Sequence, residues 1–446
     1  MIVAIGAALA GAAPASAAYE KCQPAFPTAE GAGACSAGGR GGKILRVTTL
    51  ADAGPGSLRA AVETTGPRVI IFDIGGTITL LKPLKIREPR VTIAGQTAPG
   101  GGITLRGQPL LVDADDVVIR FLRSRLGDEE GVETDAVTVE RGRRIILDHI
   151  SASWSVDETL SVGIPQRKPE DDIRDVTIQW SIIAESLDGS IHAKGEHGYG
   201  SLIRAAHGAE ISFHHNLWAH HIQRMPRPGN YMPPAQDPEG PRIEFRSNVF
   251  YNWGGARSGY NADSGEKASH SAYAFIDNSY RTGPSSKAAI AFDEGDPLAR
   301  SLFAGNAMNG VVPADPMTLV TGIKDPANRI ATLAIRPVCA QGWAESEKAV
   351  LAHAGASLVR DAVDLRIVRD VTAGTGGIVN SQKQVGGWPE LAPGTAWRDG
   401  DGDGLPDDWE RAHKLDPADP ADAARPAGGG YSHLDAWLEE LATTRR

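Results

Sequence analysis

Four carboxylates and one arginine turn hold the chemistry legible in this chain. Glu133 and Asp135 stand two apart just before an apolar strand, Ala136-Val-Thr-Val139, and Asp157 and Glu158 follow Ile146-Leu-Asp-His-Ile-Ser-Ala-Ser-Trp154. Alternation along an extended chain would put Glu133 and Asp135 on one face. Carboxylates gathered from neighbouring strands form an oxygen-only site for a hard cation, for which calcium is the natural occupant. Spacing alone equally allows four solvated edge charges. Farther on, Ile211-Ser-Phe-His-His-Asn-Leu-Trp-Ala-His-His-Ile-Gln-Arg-Met-Pro-Arg227 opens as an alternating strand and closes in an Arg-x-Pro-Arg turn. Pro226 restricts the backbone just after Arg224, so this guanidinium is presented from a stiff scaffold with Arg227 beside it. Arg224 is the expected catalytic residue, although such a turn by itself is also an ordinary surface turn.

A second acidic run, Asp399-Gly-Asp-Gly-Asp-Gly-Leu-Pro-Asp-Asp-Trp-Glu410, lies near the end of the chain. Asp399, Asp401, Asp403, Asp407 and Glu410 occupy the first, third, fifth, ninth and twelfth places of a loop with Gly404 at the sixth, matching the EF-hand type of calcium loop. Pro406 stands where that loop usually has an aliphatic residue. The later segment Tyr431 to Leu441 reads as a helix with no second acidic loop beside it, so one site is expected.

These groups need elements that bring distant segments together. Short apolar strands recur, and an inward-looking series can be drawn through Ile71, Ile93, Ile119, Ile146, Ile178, Phe213, Phe245, Phe275 and Phe303, with steps of 22 to 35 residues. That period is too long for hairpins and too irregular for a helical repeat, but it suits a coil in which each turn adds one strand to each of several parallel sheets. The expected fold is all-β, a right-handed parallel β-helix. Three places after the last four of these residues come Asn216, Asn248, Asn278 and Asn306, with Ser181 after Ile178. They predict a ladder of amides at a bend, in the αL backbone that a sharp corner needs. Successive turns of such a coil lie about 4.8 Å apart, so the carboxylates could converge on one cation. A Gly-rich entry and a short helix over Ser57 to Glu63 would cap the coil, and Met317 to Pro393, with a helix over Glu345 to His353, would wrap back along its outside.

Composition agrees with many strands joined by turns, with 52 Gly and 29 Pro in 446 residues. Residues 1–17 are apolar and end in Ala15-Ser16-Ala17, the pattern of a secretory leader, which predicts export to the periplasm or the exterior. Cys22 and Cys35 could then form a disulfide, leaving Cys339 over. Residues 18–394 form the expected β-helix and 395–446 a calcium-binding tail. Of the net charge of −10, the tail carries twelve acidic against six basic side chains. The mildly acidic body excludes nucleic acid as a partner, and nothing after the leader is apolar enough to enter a membrane. The chain is expected to act as a monomer.

Together, Ile146-Leu-Asp-His149, Asp135 in Asp-Ala-Val, His214-His-Asn-Leu-Trp218 and Arg224-Met-Pro-Arg227 resemble the pectate lyases of polysaccharide lyase family 1, over roughly Gly39 to Glu390. The resemblance implies a β-helix that binds polygalacturonate, an acidic plant cell-wall polysaccharide, in a groove, requires calcium, and cleaves by β-elimination. It makes Asp135 and Asp157 calcium ligands and Arg224 the base, with Lys194 and Arg227 as cations beside the substrate carboxylate. Arginine is an awkward base, since general bases work best near the operating pH, and an alkaline optimum follows, helped by neighbouring cations. Two positions depart from the family pattern: Ser161 replaces a further acid, and Gly229 replaces an arginine, both implying weaker binding. Two rivals remain. Asp157 and Glu158 could serve a β-helical glycoside hydrolase as acid and base, or the chain could bind polysaccharide without turnover.

Overall fold

The computed structural model describes residues 21–163 and 173–443; the expected leader lies outside them. The chain winds as a parallel β-helix. Ten strands from Lys43–Val47 to Ala299–Ala304 stack into a first sheet, and nine from Gly76–Thr79 to Ala307–Met308 into a second. A third runs from Leu84–Ile86 through Leu110–Asp113, the start of Val137–Asp148, Leu160–Val162, Leu202–Ala205 and Arg227–Asn230. A further stack, Gly259–Asn261, Phe292–Glu294 and Val320–Gly322, follows. Val137–Asp148 serves two sheets: residues 137–141 pair in the third and residues 142–148 in the first, with Gly142 at φ 117° at the changeover.

The inward column of the first sheet is Ile70, Ile93, Ile119, Leu147, Ile178, Phe213, Phe245, Phe275 and Phe303. The expected column is therefore one residue out of step at Ile71 and Ile146. Both are buried, but on the outer face: Ile71 packs with Leu405, Trp437 and Leu438 from the tail, and Ile146 with Phe26 and Ala34 from the N-terminal segment. A strand covered on both faces is apolar at every position, and alternation no longer marks its inside. Inside, Phe213, Phe245, Phe275 and Phe303 stack at centroid spacings of 5.7, 4.7 and 4.9 Å.

The amide ladder is present. The side-chain oxygens of Asn216, Asn248, Asn278 and Asn306 accept the backbone N–H groups of Ser181, Asn216, Asn248 and Asn278 at 2.8 to 3.0 Å. The αL residues are one place earlier than expected: Trp180, His215, Ser247, Asp277 and Gly305 have φ between 49° and 66°. The amides stitch the corner while their predecessors turn it. Trp180 stacks on His215 at 4.3 Å on the outside of the same bend.

Helix α1 (Leu58–Val62), capped by the Ser57 hydroxyl, lies at the entry, and Cys22 is disulfide-bonded to Cys35. Helices α2 (Trp343–His353) and α3 (Ala362–Ala373) strap the outer face of the second sheet, laying Val350, Ile367 and Val371 on Trp154, Ile182, Leu217 and Tyr251. The tail contributes α4 (Asp407–Ala412) and α5 (His433–Thr443). It does not hang free. Leu405, Trp437 and Leu438 cover Val69, Ile71 and Ala94, and Glu439 pairs at 2.8 Å with Arg120, which holds buried Asp148 at 2.7 Å. Asp148 also pairs with His149 at 2.8 Å, a packing role for both.

Candidate active site

Each third-sheet strand is entered by a loop, and the strand register fixes where the loop residues meet. Val137 pairs with Leu160, which places Asp135 and Glu158 at equivalent points of successive turns. Isolated bridges continue the column from Glu158 to Tyr199 and from Tyr199 to Gln223, one residue before Arg224. Parallel turns repeat at about 4.8 Å, so residues far apart in sequence become near neighbours.

Asp135, Asp157 and Glu158 each offer an oxygen within 4.8 Å of the others. Asp135 is buried, accepting from Thr138 Oγ1 at 3.1 Å and from the Glu158 backbone N–H at 3.2 Å. Burial pushes its carboxyl up to about 7, with the Asp157 charge adding to the rise and the Ser161 hydroxyl opposing it. Burial would raise Asp157 too, but His197, at 2.8 Å, outweighs it and holds that carboxyl below its ordinary value. Three convergent carboxylates, one of them short of counter-charge, are an all-oxygen donor set that fits calcium. Ser161, standing where the resemblance expects a further acid, also accepts the backbone N–H of Leu202 at 3.2 Å, so this position ties two turns together.

Glu133 does not join them. Its residue lies in a loop that bends at Thr134, where the alternation of an extended strand does not apply, and its carboxylate accepts the N–H of Ala193 at 3.0 Å. Glu133 thereby anchors the loop carrying Lys194, which is exposed, and His192 and His197, whose rings stack at 3.8 Å. Oxygens of Asp157 and Glu158 within 4.8 Å are closer than the roughly 6.5–9.5 Å of an inverting hydrolase pair, which removes the inverting form of that rival.

Arg224 sits in the αL region at φ 59°, before a cis Met225–Pro226 bond. Met225 is fully buried in the core, and its N–H donates to Ser258 O at 3.0 Å while Arg224 O accepts from Ser201 N at 2.7 Å. The turn is thus tied to the coils on both sides. The Arg224 guanidinium lies 4.1 Å over the Tyr199 ring, its Nε donates to Tyr260 Oη at 3.3 Å, and Nη1 forms an ion pair with Glu158. Arg224 thus pairs with a carboxylate, where the sequence leads us to expect neighbouring cations to act on it. Arg227 pairs with Asp263 at 3.2 Å and lies 5.2 Å from the Tyr260 ring centroid. Gly229 has a local reason. A side chain there would collide with the Arg204 guanidinium, which reaches through the gap to Asp263 and to Asn230 O.

The sequence left His192, His197, Tyr199, Tyr260, Arg204 and Asp263 unassigned. The two histidines carried a faint signal in their placement within the Gly-rich loop Gly189 to Gly200. Asp263, Arg204 and the tyrosines carried none, since only the coil register brings them to the turn.

No family model matches the chain. It is 35% identical over 430 residues to a probable pectate lyase C of Aspergillus fumigatus, covering 94% of this chain and 93% of that protein. A probable pectate lyase C of Emericella nidulans is 33% identical over 436 residues, with 95% of each chain covered. Among solved structures, a pectate lyase bound to a hexasaccharide shares the fold with a TM-score of 0.51 and 13% identity, over 74% of this chain and 98% of that one. A Bacillus sp. N165 pectate lyase in complex with trigalacturonate gives a TM-score of 0.50 at 13% identity, over 74% and 99%.

Proposed function

As the chain belongs to the pectate lyase family of polysaccharide lyases, we propose that it cleaves polygalacturonate by β-elimination, with Arg224 taking the proton from C5 of a uronate unit. The C5–H electron pair becomes the C4=C5 double bond, the C4–O bond breaks, and the departing oxygen takes a proton from water. One fragment ends in a 4,5-unsaturated uronide and the other in a new reducing end. The observation that carries this reading is the fixed placement of Arg224, paired with Glu158, so that the base meets the carboxylate cluster of Asp135, Asp157 and Glu158.

Asp135, Asp157 and Glu158 would hold calcium, which supplies positive charge opposite the uronate carboxylate where negative charge builds as the proton leaves. Tyr199 and Tyr260 orient the Arg224 guanidinium, and Arg227, steered by Asp263, offers a second cation to a substrate carboxylate. The Cys22–Cys35 disulfide supports export, as such bonds persist in oxidising compartments.

The test is Arg224→Ala, followed by ultraviolet absorbance of unsaturated product at about pH 9. The initial rate should fall by about 10²–10⁴ with little change in KM, as expected for loss of a general base. A rate within tenfold of the parent places the base elsewhere.

A further inference from the structure

The acidic loop of the tail differs from its template in one ligand. Asp399, Asp401 and Asp403 lie within 4.8 Å of one another, and so do Asp403, Glu410 and Asp422. Asp407, the template's ninth residue, is spent otherwise: its Oδ1 accepts the Gly400 N–H at 2.7 Å, and its Oδ2 pairs with Arg398 at 3.0 Å and Arg411 at 3.3 Å. Its place is taken by Asp422, a dozen residues beyond the loop.

The arrangement points to a ligand through the atoms left unanswered. Glu410 is completely buried, and neither of its carboxylate oxygens meets a hydrogen-bond donor among the described residues; the same holds for Asp401 Oδ2 and Asp422 Oδ1. The remaining oxygens are committed. Asp422 Oδ2 accepts the Asp416 N–H at 3.0 Å, Asp403 accepts from Leu405 and Ala423 at 2.9 and 3.1 Å, and Asp399 accepts from Gly402 and Gly404 at 2.7 and 2.8 Å while pairing with Arg46. An uncompensated buried carboxylate is costly, and these free oxygens, on two acidic groups that share Asp403, leave room for a hard cation as the compensating group.

We propose that the tail holds a calcium ion between Asp401, Asp403, Glu410 and Asp422, with Asp399 at its edge, and that this ion staples the tail to the β-helix. Leu405 and Ala423 sit beside the ligands and belong to the cluster that covers Val69, Ile71 and Ala94 on the first sheet. Closing the site from Asp422 draws both residues onto that sheet. Asp399 adds the Arg46 pair from the first strand. The site is separate from the groove and does not depend on the reaction proposed there.

Calcium alone is the probe, titrated into the full chain without polysaccharide by equilibrium dialysis, with thermal unfolding followed in calcium and in chelator. Glu410→Gln and Asp422→Asn should each weaken binding at least tenfold, while Asp407→Asn and the groove variant Asp157→Asn keep the tail site at parental affinity. Stability should cross over. In calcium the two ligand variants melt below the parent, whereas in chelator they melt at or above it, because removing a charge from an empty acidic cluster relieves repulsion. Damage to packing alone would lower melting in both conditions. Equal binding by Asp422→Asn and parent, or loss of the site in Asp407→Asn, overturns the assignment.

Discussion

At the scale of single residues, the turn depends on a carboxylate that the sequence left unassigned. Asp263 accepts from Arg204 at 3.0 Å and from Arg227 at 3.2 Å through the same oxygen, and Arg204 is buried. Asp263→Asn would leave Arg204 without its counter-charge and release Arg227. Breaking a buried pair on one side costs about 3–5 kcal/mol, so the urea midpoint should drop with an unchanged slope, and KM for polygalacturonate should rise more than kcat falls. Parental stability and KM together would show that Asp263 positions nothing. Arg224, Asp135, Asp157 and Glu158 were legible because each stands at or near a strand end, where the chain fixes its neighbours. Glu133 and Asp407 were not, because a bent loop does not alternate and a loop template does not know which side chains nearby arginines will claim.

At the scale of elements, the coil was legible in its period, and the register failed only where both faces of a strand are covered, at Ile71 and Ile146. The third sheet and the stack that extends it were not legible, since three-residue strands such as Leu160–Val162 and Phe292–Glu294 leave no pattern of their own. That stack contains a group with a pH signature. Burial, aided by Asp296 and Asp263, pushes Glu294 up to about 8 from an ordinary 4.5, and Tyr273 donates to it. A carboxyl raised in the folded state keeps its proton longer there than in the unfolded chain. Its contribution to stability is therefore complete below about pH 4.5 and is lost as pH rises through about 8. Glu294→Gln cannot ionise, so its melting temperature should fall less between pH 6 and pH 9 than the parent's. Equal falls would mean that Glu294 ionises much as it does in the unfolded chain.

At the scale of the whole molecule, the outer coverings join the coil at points the sequence did not reveal. The tail reads as a separate acidic unit, yet α5 reaches Asp148 through Glu439 and Arg120. Deleting residues 395–446 should cost about 3 kcal/mol or more from re-exposing Val69 and Ile71 alone, read as a lower melting temperature. Turnover on soluble polygalacturonate well below that temperature should persist, since the groove residues take their partners from the coils. Unchanged melting would mean that the tail only rests on the body. The most direct test of the lyase reading uses the intact chain with polygalacturonate at about pH 9, recording ultraviolet absorbance and reducing ends together, first with calcium and then with excess chelator. Absorbance and reducing ends should rise in step with calcium and both should stop in chelator. Reducing ends accumulating without absorbance would contradict the lyase reading and make the chain a hydrolase.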